Sequence, residues 1–367
     1  MKKFSYIICL CLAISMSSLA NNIRTIVKAN SPAINYIGRT MVAVDGSVSY
    51  DWVGVYWQTD FSGGSVAVKV SGSGTSYHNI FIDNKFVRKI KITGKNDTII
   101  TLASGLTKGF HRLRMQKCTE GEFGCTSIHQ LILATNGKLR FTPRKHRMIE
   151  IYGDSYTCGY GSEGNNAADP FKLETENCNK AYGCILARYF DADYALIAHS
   201  GRGVVRNYGD SVRLSKNTMS TRMTHVFDDY DASVVYDFKS YKPDVVLINL
   251  GTNDFALTPV PTDEEFINGY IKMIKQIRKV YGNDEPILCI LPHSGGPTSR
   301  CIPEMMKRMN EDKFLFAASP MEHIVTYKYD MGASSHPNCS GHRKIAMTLI
   351  PLVSAITGWQ LENKVVE

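Results

Sequence analysis

The sequence predicts two domains of different class: an all-β sandwich or jelly roll, followed by an α/β domain built on a parallel sheet. The chain has 367 residues, enough for two hydrophobic cores. Up to about residue 143, apolar residues alternate with polar ones as in half-buried strands. Beyond Pro143, short runs of Val, Ile and Leu alternate with helical patterns, which indicates a parallel sheet covered by helices on both faces.

The strands of the first domain are expected between residues 30 and 143. In "GGSVAVKVSG", Val66, Val68 and Val70 occupy alternate positions. "NIFIDNKFVRKIKI" contains two alternating runs around Asp83-Asn84, a dipeptide typical of a hairpin turn. "HRLRMQK" and "HQLILAT" continue the pattern, and Gly and Asn recur roughly every ten residues, as in a sandwich or jelly roll.

The second domain contains strand and helix patterns in alternation. The helices are predicted in "KAYGCILARYF", in "DEEFINGYIKMIKQIRKVYG", whose apolar residues share one face, and in "GHRKIAMTLIPLVSAI". The strands are predicted in "MIEIY" (148–152), "YALIAH" (194–199), "DVVLINL" (244–250) and "ILCIL" (287–291), with a weaker fifth near Ile324–Tyr327. Since such sheets bind ligands at the carboxyl ends of their strands, functional residues are expected directly after these runs.

Residues 1–20 are predicted to be a cleavable signal peptide. "MKKFSYIICLCLAISMSSLANN" combines a basic start, an apolar stretch of roughly a dozen residues and a small-residue exit at positions 18–20. That stretch is too short to span a membrane, and no cysteine for a lipid anchor follows it. We therefore expect a secreted or periplasmic protein without a membrane anchor, with its domains at 21–143 and 144–360.

The charge of the chain does not indicate nucleic-acid binding. The formal charge is +8, and two of the positive side chains, Lys2 and Lys3, lie in the predicted signal peptide. The basic residues Arg144, Lys145 and Arg147 are typical of a solvated linker, and no basic stripe with interleaved aromatic residues occurs.

Cysteine use leaves the disulfide pattern open. Ten cysteines become eight once Cys9 and Cys11 leave with the signal peptide, and eight allow 105 pairings. Cys118 and Cys125 could close a short loop. Cys178 and Cys184 are also close in sequence, but Cys184 is expected to lie on a helix; alternatively, several are small buried hydrophobic residues. Because no CxxC pair is present, we expect no zinc site, and no other metal or cofactor is indicated.

Polar or small residues follow three of the predicted strands directly. Ser155 follows "MIEIY" through Gly153-Asp154, Gly201 follows "YALIAH" through Ser200, and Asn253 follows "DVVLINL" through Gly251-Thr252. A fourth candidate, His336, lies in "SSHPNCSGH" just before the last predicted helix.

Acyl transfer requires a nucleophile, a base and oxyanion donors, and these four residues can supply them. A serine hydroxyl becomes nucleophilic when a base removes its proton, and histidine suits that role near neutral pH. The tetrahedral intermediate needs donors aimed at its oxyanion. The backbone N–H groups of Ser155 and Gly201 and the side-chain amide of Asn253 are candidates for these donors, with Ser155 and His336 as the catalytic residues.

Each of the four residues also has a purely structural interpretation. Gly-Asp-Ser favours a turn, Gly201 fits a loop, Asn253 suits a helix N-cap and His336 suits a packed or surface histidine. Their joint placement, in order and mostly at strand ends, is what favours a single site. Asp154 and Asp254 are expected to hold turns, and Cys158 to pack.

At the level of motifs the chain resembles a known superfamily. The segments "GDSYTCGYG", "SGRGVVRNYGD", "GTNDF" and "HPNCSGH" resemble the four blocks of the SGNH (GDSL) hydrolases. The long "GRGVVRNYGD" segment and a preceding β domain with "FIDN" and "GFHRLRM" are similar to carbohydrate esterase family 2.

This resemblance implies a jelly-roll domain followed by a three-layer, flavodoxin-like α/β/α domain. It implies removal of acetyl groups from plant polysaccharides such as xylan and glucomannan, without a cofactor. By the same resemblance, Ser155 matches the nucleophile, His336 the base, and Gly201 and Asn253 the oxyanion donors. Arg202 and Asn207 are candidate substrate-binding residues, because their loop is expected to flank the cleft.

The chain departs from the SGNH pattern at one position. An Asp usually precedes the catalytic histidine, but here residues 333–335 are Ala-Ser-Ser and the nearest preceding carboxylate is Asp330. The ring of His336 must then be oriented by Ser334, by a backbone carbonyl or by a distant carboxylate. The resemblance implies that a Ser-His dyad is sufficient in some members of the family, so we still expect activity.

Two other functions remain open at this point. A glycan-binding protein with a decayed hydrolase domain would explain the missing Asp, but the Ser, Gly, Asn and His are all present. A lipase or thioesterase of the same fold would need a long apolar acyl pocket, which the polar, Gly-rich sequence around Ser155 does not indicate.

Overall fold

The computed structural model describes residues 24–291, 296–318 and 324–367. The predicted signal peptide lies outside the described residues. No helix in these described ranges is long and apolar enough to cross a membrane.

The first part of the described chain forms two antiparallel sheets. One contains β1 (Thr25–Lys28), β3 (Met41–Val42), β4 (Val48–Tyr50), β6 (Val66–Gly72), β9 (Thr98–Ala103) and β11 (Thr126–Leu133). The other contains β2 (Asn35–Ile37), β5 (Tyr56–Phe61), β7 (Thr75–Ile82), β8 (Lys85–Thr93), β10 (His111–Lys117) and β12 (Leu139–Arg140). Trp52 and Trp57 are fully buried in the core of this part.

The β7–β8 hairpin forms at the predicted turn. Asp83 and Asn84 have φ values of +50° and +64°, the left-handed conformation that a two-residue hairpin turn requires at both positions. Asn and Asp tolerate this conformation better than most residues, so the local sequence determines where the strands reverse.

The second part of the chain contains a parallel sheet. Its strands are β13 (Arg147–Gly153), β14 (Ala192–Ala198), β15 (Val245–Asn249), β16 (Ile287–Cys289) and β17 (Leu315–Ala317), in the spatial order β14-β13-β15-β16-β17. Counted within this sheet, the order is 2-1-3-4-5, the flavodoxin-like arrangement. The prediction of an all-β part followed by an α/β part is confirmed.

Helices cover both faces of the parallel sheet. They are α1 (Ser155–Cys158), α2 (Tyr182–Tyr189), α3 (Met219–Arg222), α4 (Asp263–Tyr281), α5 (Pro297–Arg308), α6 (Tyr327–Asp330) and α7 (Cys339–Thr357). Short 3-10 turns occur at Gly121–Phe123, Leu173–Thr175, Cys178–Lys180 and Ala333–Ser335. Helix α4 begins with a capping box, in which Thr262 and Glu265 satisfy each other's backbone N–H groups.

Alternate residues of β15 belong to opposite faces of the sheet. Val245 and Leu247 pack in the cluster that contains residues of α2 and α7, whereas Val246 and Ile248 pack in the cluster that contains residues of α4 and α5. Because both faces are covered, the strand is apolar throughout rather than alternating, as the sequence indicated. The result is the three-layer arrangement.

Two elements of the second part differ from the sequence prediction. The strand predicted near Ile324–Tyr327 is wrong: the fifth strand is β17 (Leu315–Ala317), and Tyr327 begins the short helix α6. Strand β17 is only three residues long, too short for a recognisable pattern. Helix α5 was not predicted, since Pro297 and Pro303 lie within it and obscure its periodicity.

Buried polar contacts join the two parts. Arg39 of the first part contacts Glu150 of β13 at 3.2 Å, and both side chains are fully buried. Tyr56 of β5 donates a hydrogen bond to Asp193 of β14. An isolated buried charge is costly, so these pairs disfavour separation of the two parts.

The cysteines in the described ranges are free thiols. Neither Cys118 with Cys125 nor Cys178 with Cys184 is bonded, and all four are buried. This corresponds to the alternative in which they act as small hydrophobic residues.

Candidate active site

Ser155 follows the carboxyl end of the interior strand β13, as the first residue of helix α1. The side chain of Asp154 caps this helix by accepting a hydrogen bond from the Tyr156 N–H at 3.1 Å. Gly153 is required before the turn, because a Cβ there would collide with the side chain of Thr157. Ser155 is thereby held in a tight strand-to-helix turn.

His336 contacts Ser155 directly. Its Nε2 lies 2.8 Å from Ser155 Oγ, and its Nδ1 lies 2.8 Å from the backbone carbonyl oxygen of Ser334. A carbonyl oxygen can only accept, so Nδ1 carries the proton and the lone pair of Nε2 faces the serine hydroxyl. The sequence left open three candidates for the group that orients the His336 ring. In the structure, the backbone carbonyl of Ser334 is the one that contacts the ring.

The Ser334 carbonyl is aimed by an unusual backbone conformation. Ser334 and Ser335 have φ values of +52° and +58°, in the left-handed region that non-glycine residues rarely adopt. The N–H of Ser334 donates to the carbonyl of Asp169 at 2.8 Å, and that of Ser335 to the carbonyl of Ala167 at 3.0 Å. The loop around residues 161–169 therefore supports the conformation that orients His336.

Among the contacts of the described residues, the carboxylate of Asp330 pairs with groups other than the ring of His336. Its carboxylate bonds to Lys344 Nζ at 2.6 Å, Thr326 N at 2.7 Å and Ser340 Oγ at 2.9 Å. Burial opposes ionisation, but these three partners more than offset it and hold the pKa of Asp330 well below its usual value. Asp330 thus serves to fasten the start of α7.

The three candidate oxyanion donors line the same cleft as Ser155 and His336. This cleft encloses about 560 Å³. Gly201 has a φ of +74°, a backbone conformation that favours glycine. A Cβ at this position would have space, so it is the conformation and not crowding that favours glycine here. The side-chain amide of Asn253 donates to the carbonyl of Arg202 at 2.9 Å and lies 3.3 Å from Asp154 Oδ2. The structure thus brings all four candidate residues together: the three at strand ends and His336.

Asp154 and Asp254 hold backbone segments around the site. The carboxylate of Asp254 accepts hydrogen bonds from Val204, Val205 and Arg206 N–H groups at 2.8–3.0 Å. Burial raises the pKa of Asp254 to about 6, although the three N–H donors act to lower it. Burial also raises the pKa of Asp154, to about 7. Both aspartates have the turn-holding contacts that the sequence predicted.

The two candidate substrate-binding residues lie in different surroundings. Asn207 is buried, and its side chain bonds to Gly203 N, Asp210 and the carbonyl of Asn217. These contacts hold the loop, and neither Asn207 nor Arg202 is among the residues that line the cleft. Arg202 is half-buried next to Gly201, and its Nε has no hydrogen-bond partner among the described residues.

Family models match both parts of the chain. The model described as "Carbohydrate esterase 2 N-terminal" matches residues 36–143, and that of the "GDSL-like Lipase/Acylhydrolase family" matches residues 151–344, more than half of the chain. The chain belongs to the GDSL-like lipase/acylhydrolase family. With its N-terminal domain, it is of the carbohydrate esterase family 2 type and is a carboxylic ester hydrolase.

The chain is similar to named esterases over most of its own length. The chain is 28% identical to cellulase/esterase CelE of Acetivibrio thermocellus over 90% of its own length, but spans only 40% of CelE. It is 28% identical to an acetylxylan esterase/glucomannan deacetylase of Cellvibrio japonicus, over 83% of this chain and 84% of that protein.

Solved structures of family two carbohydrate esterases have the same fold. An active-site mutant from Clostridium thermocellum superposes with a TM-score of 0.81 at 28% identity, covering 90% of this chain and all of that one. One from Cellvibrio japonicus superposes with a TM-score of 0.80 at 23% identity, covering 92% of this chain and 98% of that one.

Several residues at the edge of this GDSL-type site were not predicted from the sequence. Glu122 lines the cleft although it lies in the β-sandwich part, and its carboxylate is 3.4 Å from Nε2 of the buried His199. Tyr160 stacks on Phe171 at 3.9 Å and lies 4.5 Å from the ring of His336. No sequence pattern links Glu122 to the cleft, because the link is made by packing between the two parts. Tyr160, within "GDSYTCGYG", was close enough in sequence to be suspected.

Cys158 is not a competing nucleophile. It is fully buried and donates to the carboxylate of Glu120 at 3.5 Å. Burial first, and then the neighbouring carboxylates, raise the pKa of its thiol well above the usual value. Since the thiolate is the reactive form, a neutral buried thiol agrees with the packing role expected from the sequence.

Proposed function

We propose that this protein is an exported serine esterase that removes O-acetyl groups from plant-type polysaccharides such as xylan or glucomannan. The observation that carries the proposal is the 2.8 Å contact between Ser155 Oγ and His336 Nε2 at the carboxyl edge of a parallel sheet. The names of the relatives, acetylxylan esterase and glucomannan deacetylase, support the choice of substrate.

The first half of the reaction acetylates Ser155. As its oxygen attacks the acetyl carbonyl carbon, the hydroxyl proton passes to His336 Nε2. The carbonyl of Ser334 keeps the ring in place and faces the positive charge that develops on it. The carbonyl oxygen becomes an oxyanion, which receives hydrogen bonds from the backbone N–H groups of Ser155 and Gly201 and from the Asn253 amide. His336 then gives its proton to the departing sugar oxygen.

The second half removes the acetyl group. His336, neutral again, takes a proton from a water molecule that attacks the acetyl-serine carbonyl, and the same three donors stabilise the second oxyanion. Collapse of this intermediate returns the proton to Ser155 and releases acetate. No step requires a metal or a cofactor.

The test is acetate release from acetylated xylan and acetylated glucomannan by the wild type and by Ser155→Ala. We expect the variant to fall to background while its melting temperature stays within a few degrees of the wild type. Turnover by a folded Ser155→Ala protein at the wild-type rate would refute the proposal.

Two further measurements separate the alternative functions. A fluorophosphonate probe should label Ser155 in the wild type; absence of labelling together with polysaccharide binding would indicate a glycan-binding protein with a decayed site. The rate of hydrolysis of nitrophenyl esters should fall as the acyl group becomes longer than acetyl, whereas a lipase or thioesterase would prefer the longer chains.

Export is part of the proposal and has its own test. We expect the protein recovered outside the cytoplasm to begin near residue 21, as measured by intact mass. A mass that includes residues 1–20 would refute cleavage at the predicted position.

A further inference from the structure

The backbone next to Gly201 is held by a carboxylate from the other part of the molecule. Glu120 follows strand β10 of the β-sandwich part and is fully buried. Its Oε2 accepts a hydrogen bond from the backbone N–H of Ser200 at 2.6 Å. Hydrogen bonds to an ionised carboxylate are short and strong compared with bonds between neutral groups.

Gly201 is held from both sides. On one side, Glu120 fixes the N–H of the preceding residue, Ser200; on the other, the carbonyl of Gly201 accepts a hydrogen bond from the Tyr208 N–H at 2.7 Å. The N–H of Gly201 lies between these two fixed points. With φ of Gly201 at +74°, a change at either point would rotate this N–H relative to Ser155.

A second buried carboxyl accompanies Glu120. The Oε2 of Glu176 accepts a hydrogen bond from the backbone N–H of Glu120 at 3.2 Å. Burial, and then the negative charge of Glu120, raise the pKa of Glu176 well above its usual value. The two carboxyl groups are thus joined to each other as well as to the Ser200 backbone.

The residue before Ser200 is also fixed by buried charges. His199 Nδ1 lies 2.7 Å from Asp228, and the backbone N–H of Asp228 donates to Asp51 of the sandwich part at 2.6 Å. The segment 199–201 is thus fastened to carboxylates of the first part, directly through Glu120 and Glu122 and indirectly through Asp51.

From this geometry we propose that Glu120 is a positioning residue for the esterase reaction: it holds the Ser200 N–H and thereby aims the Gly201 N–H at the oxyanion. The inference rests on the proposed Ser155 mechanism. It assigns the β-sandwich part a role in catalysis that does not require contact with the substrate.

The test compares Glu120→Ala with Glu120→Gln, using aryl acetate hydrolysis well below the melting temperature. Since an oxyanion donor is worth about 100- to 1,000-fold in kcat, misalignment of one should lower kcat of Glu120→Ala by about 10- to 100-fold, with KM within about threefold of the wild type. Glu120→Gln keeps an oxygen that can accept from Ser200 N–H and should recover most of kcat.

A boronic acid that forms a tetrahedral adduct with Ser155 provides a readout that a merely structural role would not affect. Its inhibition constant should weaken in Glu120→Ala by about the same factor as kcat, because the adduct resembles the oxyanion intermediate. If Glu120→Ala does not fold, Glu120→Gln takes its place in the test. The proposal then requires that kcat and boronate inhibition both weaken in Glu120→Gln, by a smaller factor than that expected for Glu120→Ala.

The matched control is Tyr56→Phe. It also removes a buried hydrogen bond between the two parts, that with Asp193, but does so away from the cleft. We expect it to lower the melting temperature without changing kcat or boronate inhibition. A folded Glu120→Ala with wild-type kcat and boronate inhibition would overturn the inference, as would losses no larger than those of Tyr56→Phe. If Ser155→Ala remained active, the proposed mechanism itself would fail instead.

Discussion

The orientation of His336 by a backbone carbonyl can be tested with two substitutions at one position. In Ser334→Ala the carbonyl and the left-handed backbone are retained, and only the hydroxyl, which interacts with the side chain of Tyr160, is lost. We expect a loss of about 1 kcal/mol in stability for that contact and a kcat within about threefold of the wild type.

Ser334→Pro changes the backbone at the same position. Proline fixes φ near −65°, more than 100° from the +52° of Ser334, and it removes the N–H that donates to the Asp169 carbonyl. The carbonyl then leaves Nδ1, so the ring loses its fixed tautomer and orientation. Because misplacement by about 1 Å can cost 100-fold, we expect kcat to fall by about 100-fold or more.

Both variants are compared by acetate release, with melting temperature and circular dichroism as controls of folding. The carbonyl mechanism requires that the first variant is active and that the second, while folded, is not. A large loss of kcat in folded Ser334→Ala would show that the hydroxyl orients His336, and wild-type kcat in folded Ser334→Pro would show that the carbonyl does not.

Two further predictions concern the oxyanion site and its support. Asn253→Ala, and equally Asn253→Asp, which cannot donate, should lower kcat by about 100-fold or more; activity within threefold of the wild type would remove Asn253 from the oxyanion hole. Burial lowers the pKa of His199, but Asp228 and Glu122 more than offset this and raise the pKa to about 10. A raised pKa contributes stability that is present below about pH 6.5 and is lost as pH rises towards 10. The melting temperature of the wild type should therefore exceed that of His199→Gln by several degrees at pH 6, and the difference should shrink by pH 10.5; a difference independent of pH would contradict this.

Local sequence patterns predicted those parts of the fold that local chemistry determines. The turn at Asp83-Asn84 needs two residues that tolerate positive φ, and the apolar β15 needs a sheet covered on both faces. Strand β17 and helix α5 were missed because one is three residues long and the other contains two prolines. Their existence depends on the space beside β16, which the local sequence does not encode.

The candidate site divides in the same way. Ser155, Gly201 and Asn253 could be found because parallel strands bring their carboxyl ends to one edge. The group that orients His336 could not be found from the sequence. Every residue has a backbone carbonyl, and only the conformation at Ser334 directs its carbonyl towards the His336 ring. Glu120 and Glu122 were missed because they belong to the other domain and reach the site through interdomain packing.

Packing within the second domain explains why a carboxylate is absent before His336. Ala333 is buried, and it lies so close to Gly161 that a Cβ on that glycine would be 2.8 Å from the Ala333 carbonyl oxygen. The loop that contains Gly161 continues to Ala167 and Asp169, whose carbonyls hold Ser334 and Ser335 in the conformation that orients His336. A larger, charged side chain at position 333 would displace this loop and with it the Ser334 carbonyl. In the proposed mechanism, backbone groups therefore orient the base, and a carboxylate from the sandwich domain holds the segment that contains the Gly201 N–H. A substitution that introduces an aspartate near His336 should disrupt this arrangement rather than improve it.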